Sequence, residues 1–471
     1  MLEATAQPGS SRTIIVGGGL AGMAAAKTLS QCGRAVTLLE SRQQLGGRAS
    51  SFVDHETGTT IDNCQHVAMG CCRRFLAFCR ETGIADEFQR EQSLTFLAPG
   101  HRPSRFAASW LPAPLHLASA FARLPYLSCG EKLRFAVGVR SLWASDPAVL
   151  RGQSFRDWLT ARRQSESLQR KVWEVLLISA LSESLDRIDA AYARQVLVDG
   201  FLTSRDGWQV YRPLKSLGEL WTQRVGTWLR EQGVDIRLGQ GVSQIERGDD
   251  GGFRVRLRDD TTWIAESVIL AVPWHRVEDL LAPELSGAVN LKDLGRMEAA
   301  PITSVHLWVD RRLMPQEHLV LVDQLSQWLF LQPEQRVAHV EPIPMASLKT
   351  EEESLWHYQV VISASRMLKG ITRDEVIAQV WQELQSLLPD AAQVELRHAR
   401  VVTEHRAVFS PTPGIDELRP SQRTAIPALY LAGDWTQTDW PATMEGAIIS
   451  GEQAAQACLI EDRGLRTDTS P

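Results

Sequence analysis

Residues 13–47 read TIIVGGGLAGMAAAKTLSQCGRAVTLLESRQQLGG. The apolar run Thr13–Val16 predicts a strand, Met23–Gln31 a helix, and Ala35–Leu39 a second strand that ends at Glu40. Dinucleotide-binding α/β folds use this order of elements: a strand, a glycine turn, a helix, and a second strand followed by an acidic residue. The stretch therefore predicts a Rossmann-like domain built on a parallel sheet.

The glycines between the first strand and the helix have separate physical roles. Gly17 permits a tight turn, Gly19 lets the backbone approach a pyrophosphate, and Gly22 lets the helix pack close to the strand. The helix N-terminus offers free N–H groups and a partial positive charge to the phosphates. Glu40 can accept hydrogen bonds from a ribose, which favours NAD or FAD over NADP, although Arg42 could meet a 2′-phosphate.

Two further blocks favour FAD. The glycine pair at 46–47 lets backbone N–H groups approach an extended cofactor, and Arg48 supplies a cationic fork for phosphate. Much later, an apolar run ends at Gly433-Asp434, and a helix opens at Met444. Asp434 can bind ribityl hydroxyls, and the helix N-terminus can face the pyrimidine end of a flavin, which is negatively charged when reduced.

Together these blocks resemble the flavin amine oxidase and phytoene desaturase superfamily. The resemblance implies an α/β, amine-oxidase-like architecture, in which a Rossmann-like FAD-binding domain, discontinuous in sequence, is joined to a second α+β substrate domain. It also implies that Val242 binds the adenine through its backbone and that Gln65 lies near the flavin N5 edge. No cysteine stands where some relatives attach the flavin, so we expect non-covalent FAD. The expected cofactor-binding residues are Gly17, Gly19, Leu20, Ala21, Gly22, Glu40, Ser41, Gly46, Gly47, Arg48, Gln65, Val242, Gly433, Asp434, Met444 and Ala447.

The length of 471 residues predicts two domains. We assign residues 10–105, 234–300 and 420–460 to the FAD-binding domain, and residues 106–233 and 301–419 to the substrate domain. Within the first set, residues 234–245 read as one continuous return strand.

Composition narrows the class of protein. A net charge of −6 and a pI near 6.0 argue against general nucleic-acid binding. Seven unevenly spread cysteines without metal-ligand spacing predict reduced thiols in a cytosolic protein and no metal site. The polar stretch from Met1 to Arg12 does not resemble a signal peptide, and no apolar run is long enough to span a membrane. We therefore expect a cytoplasmic protein.

The segment Phe106–Ala122 is unusual because it contains no charged residue. Pro112 and Pro114 would break a membrane-spanning helix, whereas Trp110 before them and basic residues after the segment suit a membrane surface. The segment predicts contact with a membrane, or the mouth of an apolar tunnel. An ordinary buried pair of helices explains the same composition equally well.

A finer resemblance is to the hydroxysqualene dehydroxylase family, which completes squalene formation on a bacterial hopanoid pathway. Five blocks carry it, although Cys64 stands where relatives often have glycine: Asp62-Asn63-Cys64-Gln65-His66-Val67, Gly70-Cys71-Cys72, Leu111-Pro112-Ala113-Pro114-Leu115, Gly433-Asp434-Trp435 and Trp440 to Ala447. The resemblance implies reductive dehydroxylation of hydroxysqualene. It further implies a location at the inner face of the plasma membrane and contact with the upstream squalene or phytoene synthase-like enzymes.

Removal of hydroxide needs a proton or a strong hydrogen-bond donor, because hydroxide is a poor leaving group. The candidate catalytic residues are His66, Asp62 and Glu445. Each also has a structural interpretation: His66 could bond a carbonyl, Asp62 could cap a turn, and Glu445 could complement the dipole of its own helix.

Three other functions fit the sequence. A carotenoid or phytoene-type desaturase would use the same fold and a similar substrate in the oxidising direction. A flavin amine oxidase would need an aromatic cage and often a lysine near N5, and no lysine falls in a flavin motif. A non-catalytic isoprenoid carrier of the escort type would have no need of the intact Gly-Asp and Met-Glu-Gly-Ala blocks.

Overall fold

The computed structural model describes residues 12–249, 251–288, 290–332 and 355–467. Residues 1–11 lie outside the described residues, and they include most of the N-terminal stretch that we expect not to be a signal peptide. The strands are β1 (Arg12–Val16), β2 (Ala35–Glu40), β3 (Ser51–Val53), β4 (Thr60–Asp62), β5 (Ala68–Met69), β6 (Phe88–Glu91), β7 (Leu94–Leu97), β8 (Ser104–Phe106), β9 (Val210–Pro213), β10 (Asp235–Leu238), β11 (Val242–Arg247), β12 (Phe253–Leu257), β13 (Thr262–Ala265), β14 (Ser267–Leu270), β15 (Ala299–Val309), β16 (His318–Leu321), β17 (Trp328–Leu331), β18 (Trp356–Ile362), β19 (Leu396–Phe409) and β20 (Leu429–Leu431).

The helices begin with the one that follows the glycine turn. They are α1 (Leu20–Gln31), α2 (Arg73–Glu81), α3 (Ala118–Ala122), α4 (Cys129–Ala144), α5 (Pro147–Leu150), α6 (Phe155–Ala161), α7 (Glu166–Leu168), α8 (Val175–Leu181), α9 (Ala190–Arg194), α10 (Gly226–Glu231), α11 (Trp274–Leu280), α12 (Leu291–Arg296), α13 (Arg373–Leu387) and α14 (Met444–Thr467). Three π-helical segments, Gln169–Glu174, Gln195–Leu202 and Glu219–Val225, interrupt or extend these helices. Within the described residues, none of the helices combines the length and apolarity needed to cross a bilayer.

A five-stranded parallel sheet forms the nucleotide-binding half. Its order is β10-β2-β1-β14-β20, so strands from three distant parts of the chain lie side by side. Ile14 and Ile15 on the central strand are fully buried, as expected for a parallel sheet covered on both faces. On one face, α1 and α14 pack so closely that a Cβ on Gly451 would lie 2.1 Å from the Ala21 carbonyl oxygen. The predicted discontinuous Rossmann-like fold is confirmed.

The second half contains a seven-stranded mixed sheet in the order β19-β15-β18-β17-β16-β7-β8. The amphipathic helix α13 covers it with Val376, Val380 and Leu384, which are buried in the same apolar cluster as the strands. Strands β7 and β8 pair within this sheet although the proposed boundary at residue 105 places them in the other domain.

The predicted continuous strand over residues 234–245 is wrong. Gly239 has a φ of +72°, and the chain turns there. β10 then belongs to the five-stranded parallel sheet, whereas β11 starts a separate three-stranded sheet with β12 and β13. The two glycines of Gly239-Gln240-Gly241 are the local signal for this turn.

Candidate functional site

In the glycine turn after β1, Gly17 and Gly22 are packed against the protein backbone, whereas Gly19 borders an open space. A Cβ on Gly17 would lie 2.4 Å from the Ala271 carbonyl oxygen, and a Cβ on Gly22 would lie 1.9 Å from the Gly17 carbonyl oxygen. Gly19 differs, because a Cβ on this residue would have the Gly47 Cα as its nearest neighbour, at 4.0 Å. Two glycines are therefore required by packing within the protein, and the third keeps a space open, as a bound pyrophosphate requires.

The start of α1 faces that space with its amides. Gly19 is the N-cap residue, and no side chain accepts a hydrogen bond from the first turn. Leu20 and Ala21 occupy the first two helical positions, whose N–H groups have no partner within a helix. The sequence-predicted residues Gly19, Leu20 and Ala21 thus come together as an anion-binding helix terminus.

Glu40 holds the glycine turn in place. One carboxylate oxygen accepts a hydrogen bond from the Gly18 backbone N–H at 2.7 Å. The other accepts from the Arg42 N–H at 2.8 Å and from the Ser41 hydroxyl at 3.0 Å. A carboxylate has about four acceptor sites, so three bonds leave capacity for a ribose hydroxyl.

The turn before Val242 lies against the same place. The Gln240 N–H donates to the Glu40 carbonyl at 2.8 Å, and the Gly239 N–H donates to the Arg42 carbonyl at 2.9 Å. These bonds bring the predicted adenine-binding residue to the end of β2 that carries the predicted ribose-binding acid.

The second and third predicted blocks meet directly. An Arg48 guanidinium nitrogen lies 2.5 Å from an Asp434 carboxylate oxygen, although the residues are 386 positions apart. Gly46 donates to the Gly18 carbonyl at 2.9 Å, which joins the second block to the first. Gly433 has a φ of +153°, and a Cβ there would lie 2.2 Å from the Trp435 ring nitrogen, so this position also requires glycine.

Met444 and Ala447 lie in the first turn of α14, as predicted. The Thr443 hydroxyl accepts a hydrogen bond from the Gly446 N–H at 3.1 Å, and the Thr443 carbonyl accepts from the Ala447 N–H at 3.0 Å. This local capping fixes the start of α14, and the Gly433 N–H donates to the Ser450 hydroxyl at 2.8 Å, which ties the turn after β20 to the same helix.

Asp62 is the last residue of β4, and its carboxylate points into the protein. Asp62 accepts hydrogen bonds from the Ser51 hydroxyl at 2.6 Å and from the Leu217 N–H at 3.0 Å. Burial raises the pKa of Asp62 to about 6. Asp62 therefore holds the end of β4 to the helix start at Leu217, which agrees with the structural interpretation of this residue.

His66 and Gln65 are also engaged with the protein. The His66 Nδ1 lies 2.9 Å from the Cys64 carbonyl oxygen, and burial lowers the pKa of the imidazole, so the ring is neutral near pH 7. Gln65 accepts a hydrogen bond from the Gln332 side chain at 2.8 Å.

Glu445 has a role that its own helix does not explain. Its carboxylate accepts hydrogen bonds from the Arg74 N–H at 2.9 Å and the Phe75 N–H at 2.7 Å, so it caps α2 from a distant part of the chain. The residue is buried, and burial raises the pKa of its carboxyl group. It also lines the large cavity described next.

A cavity of about 930 Å³ lies between the two halves of the protein. Its walls are mostly aliphatic and aromatic and come from β7, β8, α3, α4, α8 and the π-helical segment Gln195–Leu202. Its lining includes the buried residue Glu445 with the partly buried Val67 and Met444, which we call the inner end, and the exposed side chains of Leu115 and Leu133, which mark the outer end. The volume is near the upper end of the range for ligand pockets.

The three candidate acids are not equivalent with respect to this cavity. Glu445 lines it, whereas Asp62 and His66 do not. Sequence reasoning assigned no role to Cys71 and Cys72, which line the cavity beside Glu445, or to Gly200 and Phe201. The vicinal cysteines were visible in the sequence, but the π-helical segment has no local signal that separates it from an ordinary buried helix.

Comparison with known proteins agrees with this geometry. Residues 20–459 match the family described as flavin containing amine oxidoreductase. The chain is 27% identical to the tomato 15-cis-phytoene desaturase, over 96% of this chain and 78% of that protein. It is 25% identical to the Synechococcus elongatus 15-cis-phytoene desaturase, over 98% of both chains, and 25% identical to the Synechocystis zeta-carotene desaturase, over 97% and 99%.

Solved structures share the fold. Cyclohexylamine oxidase from Brevibacterium oxydans has a TM-score of 0.67 at 18% identity, and the match covers 96% of this chain and 100% of that chain. A Methanosarcina mazei oxidoreductase has a TM-score of 0.69 at 17% identity, with 94% and 100% covered. The match to a flavin-containing family confirms FAD as the cofactor and oxidoreduction as the class of activity. The chain belongs to the flavin-containing amine oxidoreductase family.

Proposed function

We propose that this oxidoreductase exchanges a hydride with an allylic carbon of a long isoprenoid. The observation that carries the proposal is the apolar cavity of about 930 Å³, whose inner end reaches Val67, Met444 and Glu445. An amine oxidase binds a polar substrate and needs polar groups to hold it, whereas these walls offer mainly hydrocarbon contacts. The curated relatives named above act, by their names, on carotenoid precursors.

Bound FAD would supply the hydride acceptor or donor, and the surrounding residues supply position and charge. The apolar walls orient the chain and exclude water from its inner end. Glu445 places a carboxylate at that end, where it would stabilise positive charge that develops on an allylic carbon. The two N–H groups of α2 that bind this carboxylate keep it in position.

Two directions of hydride transfer are compatible with this arrangement. Desaturation would remove a hydride and then a proton from the isoprenoid, and the curated relatives favour it. Reductive dehydroxylation of hydroxysqualene would add a hydride as hydroxide leaves and takes up a proton. The five sequence blocks that resemble the dehydroxylase family favour this second direction, and the buried Glu445 is then the candidate proton donor.

The test is anaerobic and uses the flavin spectrum together with product analysis. Reduced protein in detergent receives hydroxysqualene, and oxidised protein receives phytoene. Reoxidation of the flavin with formation of squalene supports dehydroxylation, and reduction of the flavin with formation of a longer polyene supports desaturation. No spectral change with either substrate would refute the isoprenoid proposal, and amines would be offered next.

The location and partners follow from the same substrate. We propose a cytoplasmic protein at the inner face of the plasma membrane, which would receive its substrate from squalene or phytoene synthase-like enzymes, because such a substrate is insoluble in water. Co-purification of tagged protein with such a synthase, lost when the synthase gene is deleted, would test this contact.

A further inference from the structure

Two adjacent cysteines line the cavity next to Glu445. Cys71 and Cys72 come directly before α2, and Cys72 is the N-cap residue of that helix. Both residues belong to the cavity wall, and both are only partly buried. Neither thiol takes part in the proposed hydride transfer, so the pair is a second reactive group in the same chamber.

The backbone holds the two thiols in place. The Cys71 N–H donates to the Gly207 carbonyl at 3.1 Å, and the Cys72 N–H donates to the Met69 carbonyl at 2.8 Å. The Cys71 Sγ lies close to Gly200, where an added Cβ would be 3.6 Å from the sulfur. The Cys71 sulfur is therefore supported by neighbouring backbone and borders the cavity.

The two thiols differ in acidity. The Cys72 thiol donates a hydrogen bond to Cys71, which lowers the pKa of Cys71 and raises the pKa of Cys72. The Arg73 cation also lowers the pKa of Cys71, against the opposing effects of burial and of the Glu445 carboxylate. Because the thiolate is the nucleophile, Cys71 reacts first and Cys72 keeps its proton. By contrast, burial raises the pKa of Cys64 to about 12.

We propose that Cys71 and Cys72 form a peroxide-reducing dithiol that protects the inner end of the cavity from oxidation. The Cys71 thiolate attacks one oxygen of hydrogen peroxide, the O–O bond breaks, and the departing hydroxide takes up the proton that Cys71 released. The Cys72 thiol then attacks the sulfenic sulfur, the S–O bond breaks, and water leaves with the Cys72 proton. Two thiols are oxidised to a disulfide, and one peroxide is reduced to two water molecules.

The surroundings of the pair supply both the oxidant and the group to be protected. Hydrogen peroxide is an oxidant that an FAD protein meets, because oxygen accepts electrons from reduced flavins. Met444 lines the same cavity, and peroxide converts its apolar thioether to a polar sulfoxide. This proposal does not depend on the isoprenoid reaction.

The disulfide is suited to repeated use. Cα atoms of adjacent residues lie about 3.8 Å apart, closer than the roughly 4.4–6.8 Å that is usual across a disulfide. The Cys71–Cys72 disulfide is therefore strained and easily reduced, and a soluble dithiol returns the pair to its active form.

The first test treats the FAD-loaded protein with hydrogen peroxide and follows each cysteine by peptide mass. We expect the Cys71–Cys72 disulfide to form at least about tenfold faster than Cys32 or Cys129 is oxidised, although those two thiols are exposed. Dithiothreitol should reverse the reaction, and the flavin spectrum should stay unchanged. Hexadecane in detergent should slow the reaction at Cys71 but not at Cys32 or Cys129, relative to detergent alone, because hexadecane would occupy the apolar cavity.

Serine variants separate the two steps. Serine is favoured at an N-cap, so Cys72→Ser should retain α2. In that variant Cys71 should accumulate as the sulfenic acid, which dimedone traps, whereas Cys71→Ser should leave Cys72 reduced. The matched control, Cys32→Ser with Cys129→Ser, should form the Cys71–Cys72 disulfide at the parental rate.

Protection is measured at Met444 with peroxide and dithiothreitol present together. Cys71→Ser should form Met444 sulfoxide at least about threefold faster than the parent. Met367 is exposed and does not line the cavity, so it should be oxidised at the same rate in both proteins. Oxidation of Cys32 or Cys129 before Cys71, oxidation of Cys71 without a disulfide, or equal oxidation of Met444 in variant and parent would refute the proposal. None of these measurements uses an isoprenoid, so a failed isoprenoid assay would leave their outcome unchanged.

Discussion

Replacing Gly19 with alanine should have opposite effects on the free protein and on its complex with FAD. In the free protein, the nearest atom to a Cβ at this position would be the Gly47 Cα, at 4.0 Å, so the methyl group would fit without a clash. Gly19 has φ −74° and ψ 179°, a conformation that alanine adopts without strain. Since alanine lowers the entropy of the unfolded chain, Gly19→Ala should stabilise the apoprotein by about 0.4–1 kcal/mol.

The same methyl group would occupy the space reserved for the pyrophosphate. Overpacking of this kind costs about 1–3 kcal/mol, which corresponds to a Kd for FAD raised roughly 5- to 150-fold. Gly22→Ala is the matched control, because its Cβ would lie 1.9 Å from a backbone oxygen inside the protein. That variant should destabilise the apoprotein itself.

The assay combines urea unfolding of the apoprotein with fluorescence titration of FAD. Gly19→Ala should raise the unfolding midpoint and weaken FAD binding, and Gly22→Ala should lower the midpoint. A Gly19→Ala protein with unchanged FAD affinity would refute the placement of the pyrophosphate, and a destabilised apoprotein would refute the open space.

Four further outcomes are expected. Glu445→Gln should slow turnover and retain FAD. It should also lower the free energy of unfolding by about 1–2 kcal/mol, because an uncharged amide replaces the carboxylate that caps α2. Turnover equal to that of the parent would exclude a catalytic role for Glu445. Burial raises the pKa of Asp62 to about 6 in the folded protein, so ionisation of this residue opposes folding as the pH rises from about 4 to 7. Over that range, the free energy of unfolding of Asp62→Asn, measured with urea, should gain about 2–3 kcal/mol relative to that of the parent. A difference between the two proteins that does not change with pH would contradict the burial argument. Gly200→Leu should fill part of the cavity and raise the substrate KM with an unchanged flavin spectrum, and an unchanged KM would place the substrate elsewhere. His66→Ala should slow turnover while FAD is retained, and unchanged turnover would remove His66 from the mechanism.

Sequence reasoning succeeded where the determining contacts are local. The glycine turn, the first helix and Glu40 lie within one short stretch, and their order alone specifies how they pack. The break at Gly239 was also a local feature, but the apolar residues on both sides concealed it. The pairing of Arg48 with Asp434 was not predicted, because the sequence analysis assigned Arg48 to a phosphate and Asp434 to ribityl hydroxyls, and no local pattern joins residues 386 positions apart.

The directions in which the Asp62 and Glu445 side chains point could not be predicted from the sequence. Asp62 turns toward Leu217, and Glu445 turns toward Arg74 and Phe75, because those backbone N–H groups are brought close only by the assembled fold. A carboxylate next to a cofactor motif has the same sequence signature whether it binds a substrate or caps a distant helix. The contribution of Gly200 to the cavity wall depends in the same way on which elements surround it.

The five-stranded sheet also sets the time at which the protein can acquire its cofactor during synthesis. β1 is made first, β14 pairs with it more than halfway along the chain, and β20 and α14 complete the layer only near the end. Asp434 and the close contact between Gly451 and Ala21 therefore do not exist while the ribosome is still translating the middle of the chain. Flavin loading is consequently a late event in biogenesis, and until then the nascent chain must keep the apolar faces of β1 and α1 from aggregating.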